Sequence, residues 1–145
     1  MSVSVSIIVP CYNVAAYLDQ CMESLTGQSM EDIEIICVND GSSDRTAEIL
    51  REWRNRDRRV RIIDQKNSGV SAARNSGMEA AAGTYIGFVD PDDMVERNMF
   101  QRLFTAAAEK DADVAVCGYH EFCDCGDMDI CLLYTSPSPR DSTSS

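Results

Sequence analysis

Three carboxylates crowd into four residues of this chain, Asp90-Pro91-Asp92-Asp93, directly after the apolar run Tyr85-Ile86-Gly87-Phe88-Val89. A short β-type run that ends this way gathers negative charge at a strand's C-terminal tip. Carboxylates that close repel one another, so the cluster is favourable only when solvated, protonated or bridged by a cation. Ligands that are all hard oxygens suit Mg²⁺ or Mn²⁺ rather than a thiolate-seeking metal. In open α/β sheets, ligands bind just outside the carboxyl ends of the strands. A divalent ion held by one or two acids commonly has phosphate as its other partner. The competing reading is an acidic turn that caps the following helix.

The elements that must position these acids follow from periodicity. Ser4 to Pro10 reads as a buried strand. An amphipathic helix follows, with Val14, Tyr17, Leu18, Cys21, Met22 and Leu25 at helical spacing and Gly27 at its end. Ile33 to Val38 is a second strand, running into the cap-rich turn Asn39-Asp40-Gly41-Ser42-Ser43-Asp44. Ile49, Leu50 and Trp53 mark a second helix, and Val60 to Ile63 a third strand. After the loop Lys66-Asn67-Ser68-Gly69, Ser71 is placed to cap a small-residue helix ending near Gly83. Thr84 to Val89 is the fourth strand, Met99 to Ala107 another helix, and Ala112 to Cys117 a fifth strand. The order βαβαβαβαβ implies an α/β fold, a largely parallel sheet with helices on both faces. Its turns after strands one, two and four share one edge, so Asn13, Asp40 and Asp90 can converge on one ligand.

The bulk numbers bound the partners. The 145 residues suffice for one domain with a real core. A formal net charge of −11 argues against general nucleic-acid binding, which needs a basic face. No apolar stretch reaches the length of a membrane span, and no signal peptide is expected. The seven cysteines form no CxxC pair, so they read as small buried hydrophobes in a reducing compartment. His120, Cys123 and Cys125 offer a partial metal set at non-standard spacing. Arg51, Arg54, Arg56, Arg58, Arg59 and Arg61 make one segment basic. The preferred reading is a solvated helix C-terminus whose cations complement the dipole; contact with anionic lipid is the weaker one. From Cys131 the pattern breaks. Cys131-Leu132-Leu133-Tyr134-Thr135-Ser136-Pro137-Ser138-Pro139-Arg140-Asp141 resembles a translated sequencing adapter. Residues 1–130 are therefore expected to be a C-terminally truncated domain and residues 131–145 a non-native disordered tail.

Four motifs occur in order: Ser6-Ile7-Ile8-Val9-Pro10-Cys11-Tyr12-Asn13, Val38-Asn39-Asp40-Gly41-Ser42-Ser43-Asp44, Asn67-Ser68-Gly69-Val70-Ser71-Ala72-Ala73-Arg74-Asn75-Ser76-Gly77 and Phe88-Val89-Asp90-Pro91-Asp92-Asp93. Together they resemble the nucleotide-binding half of family 2 glycosyltransferases, which have the GT-A (Rossmann-like) fold, over residues 4 to 120. The resemblance implies roles. Tyr12 lies against the nucleotide base, offering a flat ring for stacking, and Pro10 and Asn13 shape its turn. Asp40 accepts the uracil N–H, as an acceptor-only carboxylate can, or caps a helix, or does both. Arg74 serves the base and phosphates with its forked donors; alternatively it is a structural partner of Asp90 or Asp40. Asp90 and Asp92 resemble the DxD motif, with Asp92 on the metal and Asp90 on the ribose or the metal's water shell. Asp93 supports them or caps the next helix. Gly69 and Gly77 let backbone approach closely but form no GxGxxG, which disfavours an NAD-type site. Two positions depart from the family's usual pattern, Ala15 in place of Glu and Pro91 in place of Ser or Ala.

The implied chemistry is inverting transfer of a sugar from a nucleotide-sugar, a UDP-sugar, to a hydroxyl of a glycan or lipid-linked acceptor. Mn²⁺ or Mg²⁺ steadies the diphosphate leaving group, and a base takes the acceptor proton. No base is assigned; Glu121, Asp124, Asp127 and Asp129 come too soon after the acid motif. The resemblance further implies cell-envelope glycan synthesis, a cytoplasmic active site and peripheral contact with the inner face of the plasma membrane. Two alternatives stay open: another metal-dependent phosphate-handling enzyme, and a nucleotide-binding fragment without turnover.

Overall fold

The computed structural model describes residues 3–109 together with the backbone of 114–118 and 130–135. Its elements run β1 (Val5–Cys11), α1 (Ala15–Thr26), β2 (Ile33–Asp40), α2 (Thr46–Arg56), β3 (Val60–Gln65), α3 (Val70–Ala80), β4 (Tyr85–Phe88), α4 (Met99–Glu109), β5 (Val114–Gly118) and β6 (Ile130–Thr135). The sheet order is β3-β2-β1-β4-β6-β5. β1 pairs in parallel with β2, from Val5↔Ile33 to Cys11↔Asn39, and with β4, from Val5↔Tyr85 to Ile8↔Phe88. β2 pairs in parallel with β3, from Ile35↔Val60 to Asp40↔Gln65. β1 and β2 are buried along their whole length, as befits central parallel strands covered on both faces. The edge strand β3 is only partly covered.

The chain builds outward from β1 to β3 and then crosses to β4 on β1's other side. That reversal is the switch point at which α/β sheets open a ligand crevice. On one face α1, α2 and α4 pack Leu18, Met22, Leu25, Leu50, Trp53, Phe100 and Leu103 against Ile7, Val9, Ile35 and Cys37. On the other, Ala73 and Met78 of α3 meet Ile8, Ile36, Val38 and Ile86. This second layer is thin because α3 lies close: a Cβ added at Gly77 would fall 2.5 Å from Ile8 Cγ2. The small-residue composition of α3 thus sets how near it comes to the sheet.

Several expectations are refined. α3 begins at Val70 with Gly69 as its cap residue, so Ser71 lies inside the helix. The fifth strand runs from Val114 to Gly118, and β6 lies between it and β4, antiparallel to both. Over 131–135 the backbone pairs with β4 and β5. Ladder pairing draws on backbone groups that every non-proline residue carries, so a run without apolar period still fills a strand position. Residues 136–145 and the His120, Cys123 and Cys125 set lie outside the described residues. Cys11, Cys21 and Cys37 are buried free thiols.

The arginine-rich segment divides. Arg51, Arg54, Arg56 and Arg58 are exposed, and Arg56 stacks 4.7 Å over the Trp53 ring. Arg59 pairs with Asp57 at 2.8 Å and also donates to the Thr26 carbonyl at the end of α1. Arg61 pairs with Glu34 of β2 at 2.7 Å. Glu34 is buried and also accepts from Ser6 Oγ and the Ala82 N–H, so it ties the α3–β4 connection to the sheet.

Gly77→Ala tests the close packing. Helix propensity alone favours alanine by about 1 kcal/mol, whereas overpacking costs about 1–3 kcal/mol. Because the nearest atom belongs to the fully buried Ile8, the clash should win and urea unfolding should show a net loss of up to about 2 kcal/mol.

Candidate functional site

Two neighbouring features occupy the C-terminal edge of the parallel strands. The first is a cleft of about 320 Å³ lined by Pro10, Cys11, Tyr12, Asp40, Asn67, Gly69, Val70 and Ala73. Such a volume lies at the lower end of small-molecule sites. Tyr12 and Val70 are about half exposed, at 51% and 53%, and supply apolar surface at the cleft. Pro10 is still within β1, paired with Val38, and its fixed φ delivers the chain to Cys11 and Tyr12.

Asp40 ends β2 and is buried. Its Oδ1 accepts from Gln65 Nε2 and the Ser68 N–H, each at 2.9 Å. Its Oδ2 accepts the Gly69 N–H at 2.9 Å. Burial pushes its pKa up, but the three donors together outweigh this and hold it below the ordinary carboxylate value. The carboxylate therefore sits at the start of α3, where an N-terminus favours negative charge. It does not cap α2, whose Thr46 N–H goes to Asp44 Oδ1 at 2.9 Å. Gly69 has a φ of 98°, and an added Cβ there would meet nothing within 4 Å. Its contribution is the left-handed conformation that aims its N–H at Asp40, rather than a close approach of backbone.

Asn13 takes a positive φ of 51°. Its side-chain oxygen accepts from the Ser43 N–H at 2.8 Å and the Asp44 N–H at 3.3 Å. In return Asp44 Oδ2 accepts the Ala15 N–H and Thr46 Oγ1 the Val14 N–H, at the start of α1. The β1–α1 and β2–α2 turns thus brace each other beside Tyr12. Asn13 shapes the turn, as its place in the sequence suggests, through a bond that faces the neighbouring loop.

The second feature is the acid turn. The Asp93 N–H donates to the Asp90 carbonyl at 3.0 Å, closing a turn with Pro91 at its second position, where a fixed φ fits. That same carbonyl accepts the buried Cys21 thiol of α1 at 3.6 Å. Burial first, and then the neighbouring Cys11 and acid-turn charges, push that thiol's pKa far up, so it stays protonated. Asp90, Asp92 and Asp93 each offer an oxygen within 4.8 Å of the others. Neighbouring oxygens around an octahedral Mg²⁺ lie about 3 Å apart, √2 times the bond length. The three carboxylates would draw together around an ion, and their hard-oxygen chemistry is the kind that suits a divalent cation such as Mg²⁺ or Mn²⁺.

Arg74 links the two features. It follows Ala73 of the cleft on α3, and its Nη2 reaches Asp90 Oδ1 at 3.8 Å. Its Nε is buried without a hydrogen-bond partner, and its guanidinium lies 6.0 Å from the Phe88 ring centroid. The pairing with Asp90 is long and half-exposed, which leaves the fork's donors available to a ligand. Sequence reasoning gave no role to Gln65 or Ser68, both of which hold Asp40. The Asn67-Ser68-Gly69 turn was legible as a loop, but its contact with Asp40 joins positions 28 and 29 residues apart. A larger hollow of about 470 Å³, lined by Thr26, Gly27, Gln28, Glu31, Arg59 and Arg97, lies at the end of α1. There the Arg59 guanidinium is already engaged by Asp57 and by main-chain carbonyls, so it lacks the chemistry of the strand-end site.

A mostly parallel α/β sheet of GT-A (Rossmann-like) type, with a cleft and an acid turn at its switch point, is the class this geometry defines. The sequence profile of glycosyl transferase family 2 matches residues 6–128, and the chain belongs to that family. It is 52% identical over 117 residues to a Bacillus subtilis (strain 168) protein named uncharacterized glycosyltransferase EpsJ, covering 81% of this chain and 34% of that one. It is 43% identical over 118 residues to the glycosyltransferase GlyA of Streptococcus pneumoniae serotype 4, covering 81% of this chain and 17% of that one. Among solved structures, residues 1–349 of S. aureus TarS in complex with UDP-GlcNAc superimpose with a TM-score of 0.73 at 30% identity, covering 77% of this chain and 33% of that one. The chain thus spans between 17% and 34% of the length of these relatives.

The lowered Asp40 pKa has a pH signature. Its contribution to stability is complete above the unfolded carboxylate pKa and is lost as pH falls through the lower folded value. Asp40→Asn should therefore melt below the native chain at pH 7, and the gap should close as pH falls below the ordinary carboxylate range. Thermal melts followed by circular dichroism across that range check both the sign and the window.

Proposed function

We propose that this chain is the donor-binding part of an inverting, metal-dependent glycosyltransferase that takes a sugar from a UDP-sugar and passes it to a hydroxyl of a glycan or lipid-linked acceptor. The observation that carries this reading is the bridge made by α3: Val70 and Ala73 line the cleft while Arg74 reaches the acid turn. A nucleoside and a diphosphate joined in one ligand need such a pair of adjoining sites. The UDP-GlcNAc bound to TarS supports the donor class.

In this reading Tyr12 stacks on the base, and Pro10 and Asn13 fix the turn that presents it. Asp40 accepts the ring N–H through its remaining acceptor site. Asp92 and Asp90 hold Mn²⁺ or Mg²⁺, with Asp93 beside them. The bound cation supplies Lewis-acid stabilisation of the charge that builds on the departing diphosphate. Arg74 adds fixed positive charge from the α3 side, where its forked donors suit phosphate oxygens. The acceptor hydroxyl must lose a proton as it attacks, and the base is assigned to no residue of this chain. Among the described residues, no helix is long and apolar enough to cross a membrane. A cytoplasmic site working at the inner membrane face on cell-envelope glycans is the setting that the family resemblance supports.

Calorimetry tests the reading directly. UDP should bind in the presence of Mn²⁺ or Mg²⁺ and weaken sharply with a chelator. Asp92→Ala should weaken the metal-dependent binding by about 100-fold, at or beyond the range of outer-shell ligand losses. UDP binding that is equally tight in the chelator and in Asp92→Ala would rule the metal role out.

A further inference from the structure

The hydrogen bonds around Asp40 limit what it can recognise. An ionised carboxylate offers about four lone-pair sites, two on each oxygen. On Asp40, both sites of Oδ1 are taken, by Gln65 Nε2 and by the Ser68 N–H. Oδ2 holds the Gly69 N–H. One acceptor site is left, on a group that lines the cleft.

Gln65 is itself pinned. It ends β3 in direct register with Asp40. An acceptor-only carboxylate turns the amide nitrogen of Gln65 towards it, which sends Oε1 the other way. There Ser76 Oγ of α3 donates to Oε1 at 2.5 Å. The relay Ser76 → Gln65 → Asp40 has one consistent set of donor directions, and its effect is to saturate Oδ1.

Resting on the proposed donor site, we infer that Gln65, held by Ser76, is a positioning residue that sets base selectivity by leaving Asp40 a single open acceptor. Uracil presents one ring N–H between two carbonyls and matches a single acceptor. Guanine presents a ring N–H beside an exocyclic amino group, and the pair is best met by both oxygens of a free carboxylate. With Oδ1 saturated, one guanine donor is left buried and unpaired, which disfavours it. Cytosine sets a ring-nitrogen lone pair against the carboxylate and is disfavoured with or without Gln65.

Gln65→Leu empties one site on Oδ1 at similar side-chain volume. With Mn²⁺ present, calorimetric titration of native and variant chains with UDP, GDP and CDP should show the UDP-over-GDP preference falling about tenfold, the size of one charge-assisted hydrogen bond. The UDP-over-CDP preference should stay within about twofold. A residue with a merely structural role would weaken all three ligands together and leave the ratios unchanged. Ser76→Ala, further from the cleft, should move the UDP-over-GDP ratio the same way by about two- to threefold, and serves should Gln65→Leu fail to fold. A native chain that prefers UDP, with folded variants that keep the same ratio, overturns this inference and leaves the donor site standing. A native chain that binds no nucleoside diphosphate overturns both.

Discussion

The parallel pairing of β1 with β2 on one side and β4 on the other governs everything at the site. Its register brings Cys11 level with Asn39 and Ile8 level with Phe88, so Tyr12, Asp40 and Asp90 emerge at one edge. A shift of one residue in any of these ladders would exchange the side chains packed under α1, α2 and α4 with those under α3, and the close fit of Gly77 on Ile8 does not allow that. The hydrophobic effect acting on these strands is thus what fixes the relative position of polar groups that lie 28 to 78 residues apart in sequence. The site needs no dedicated scaffold beyond that core.

On this frame the polar groups are held by side chains from neighbouring turns. Asn13, Asp44 and Thr46 satisfy one another's loops, and Asp40 ties the ends of β2 and β3 to the start of α3. Each such bond contributes about 1 kcal/mol or somewhat more when an ion takes part. Together they rigidify the cleft wall without drawing on the core. The acid turn is held by its own closing bond, by the Cys21 thiol and by the long ion pair of Asp90 with Arg74. Asp90 and Asp92 stay exposed and Asp93 half-buried.

α3 has a double task. Its small residues and Gly77 let it lie against Ile8, and this closeness puts Val70 and Ala73 at the cleft while Arg74 reaches the acid turn. A helix of ordinary bulk at these positions would stand further off, and the cleft and the acid turn would no longer adjoin. The composition of α3, which reads in sequence only as a run of small residues, is a distance constraint in the folded chain.

Much of this was legible in the residues themselves. Apolar periodicity gave the first four strands and four helices within a few positions, because buried faces impose their period on sequence. The three acids after a strand announced their charge, and Asp40 and Tyr12 their place at strand ends. Tertiary structure alone decided the rest. β6 enters beside β4 through backbone pairing that leaves no side-chain signature. Asp40 faces α3 rather than α2, and Gln65 and Ser76 join it, through contacts between residues far apart in the chain. Local sequence encodes which groups are available and which face is buried; which donor meets which acceptor is settled only when the strands align.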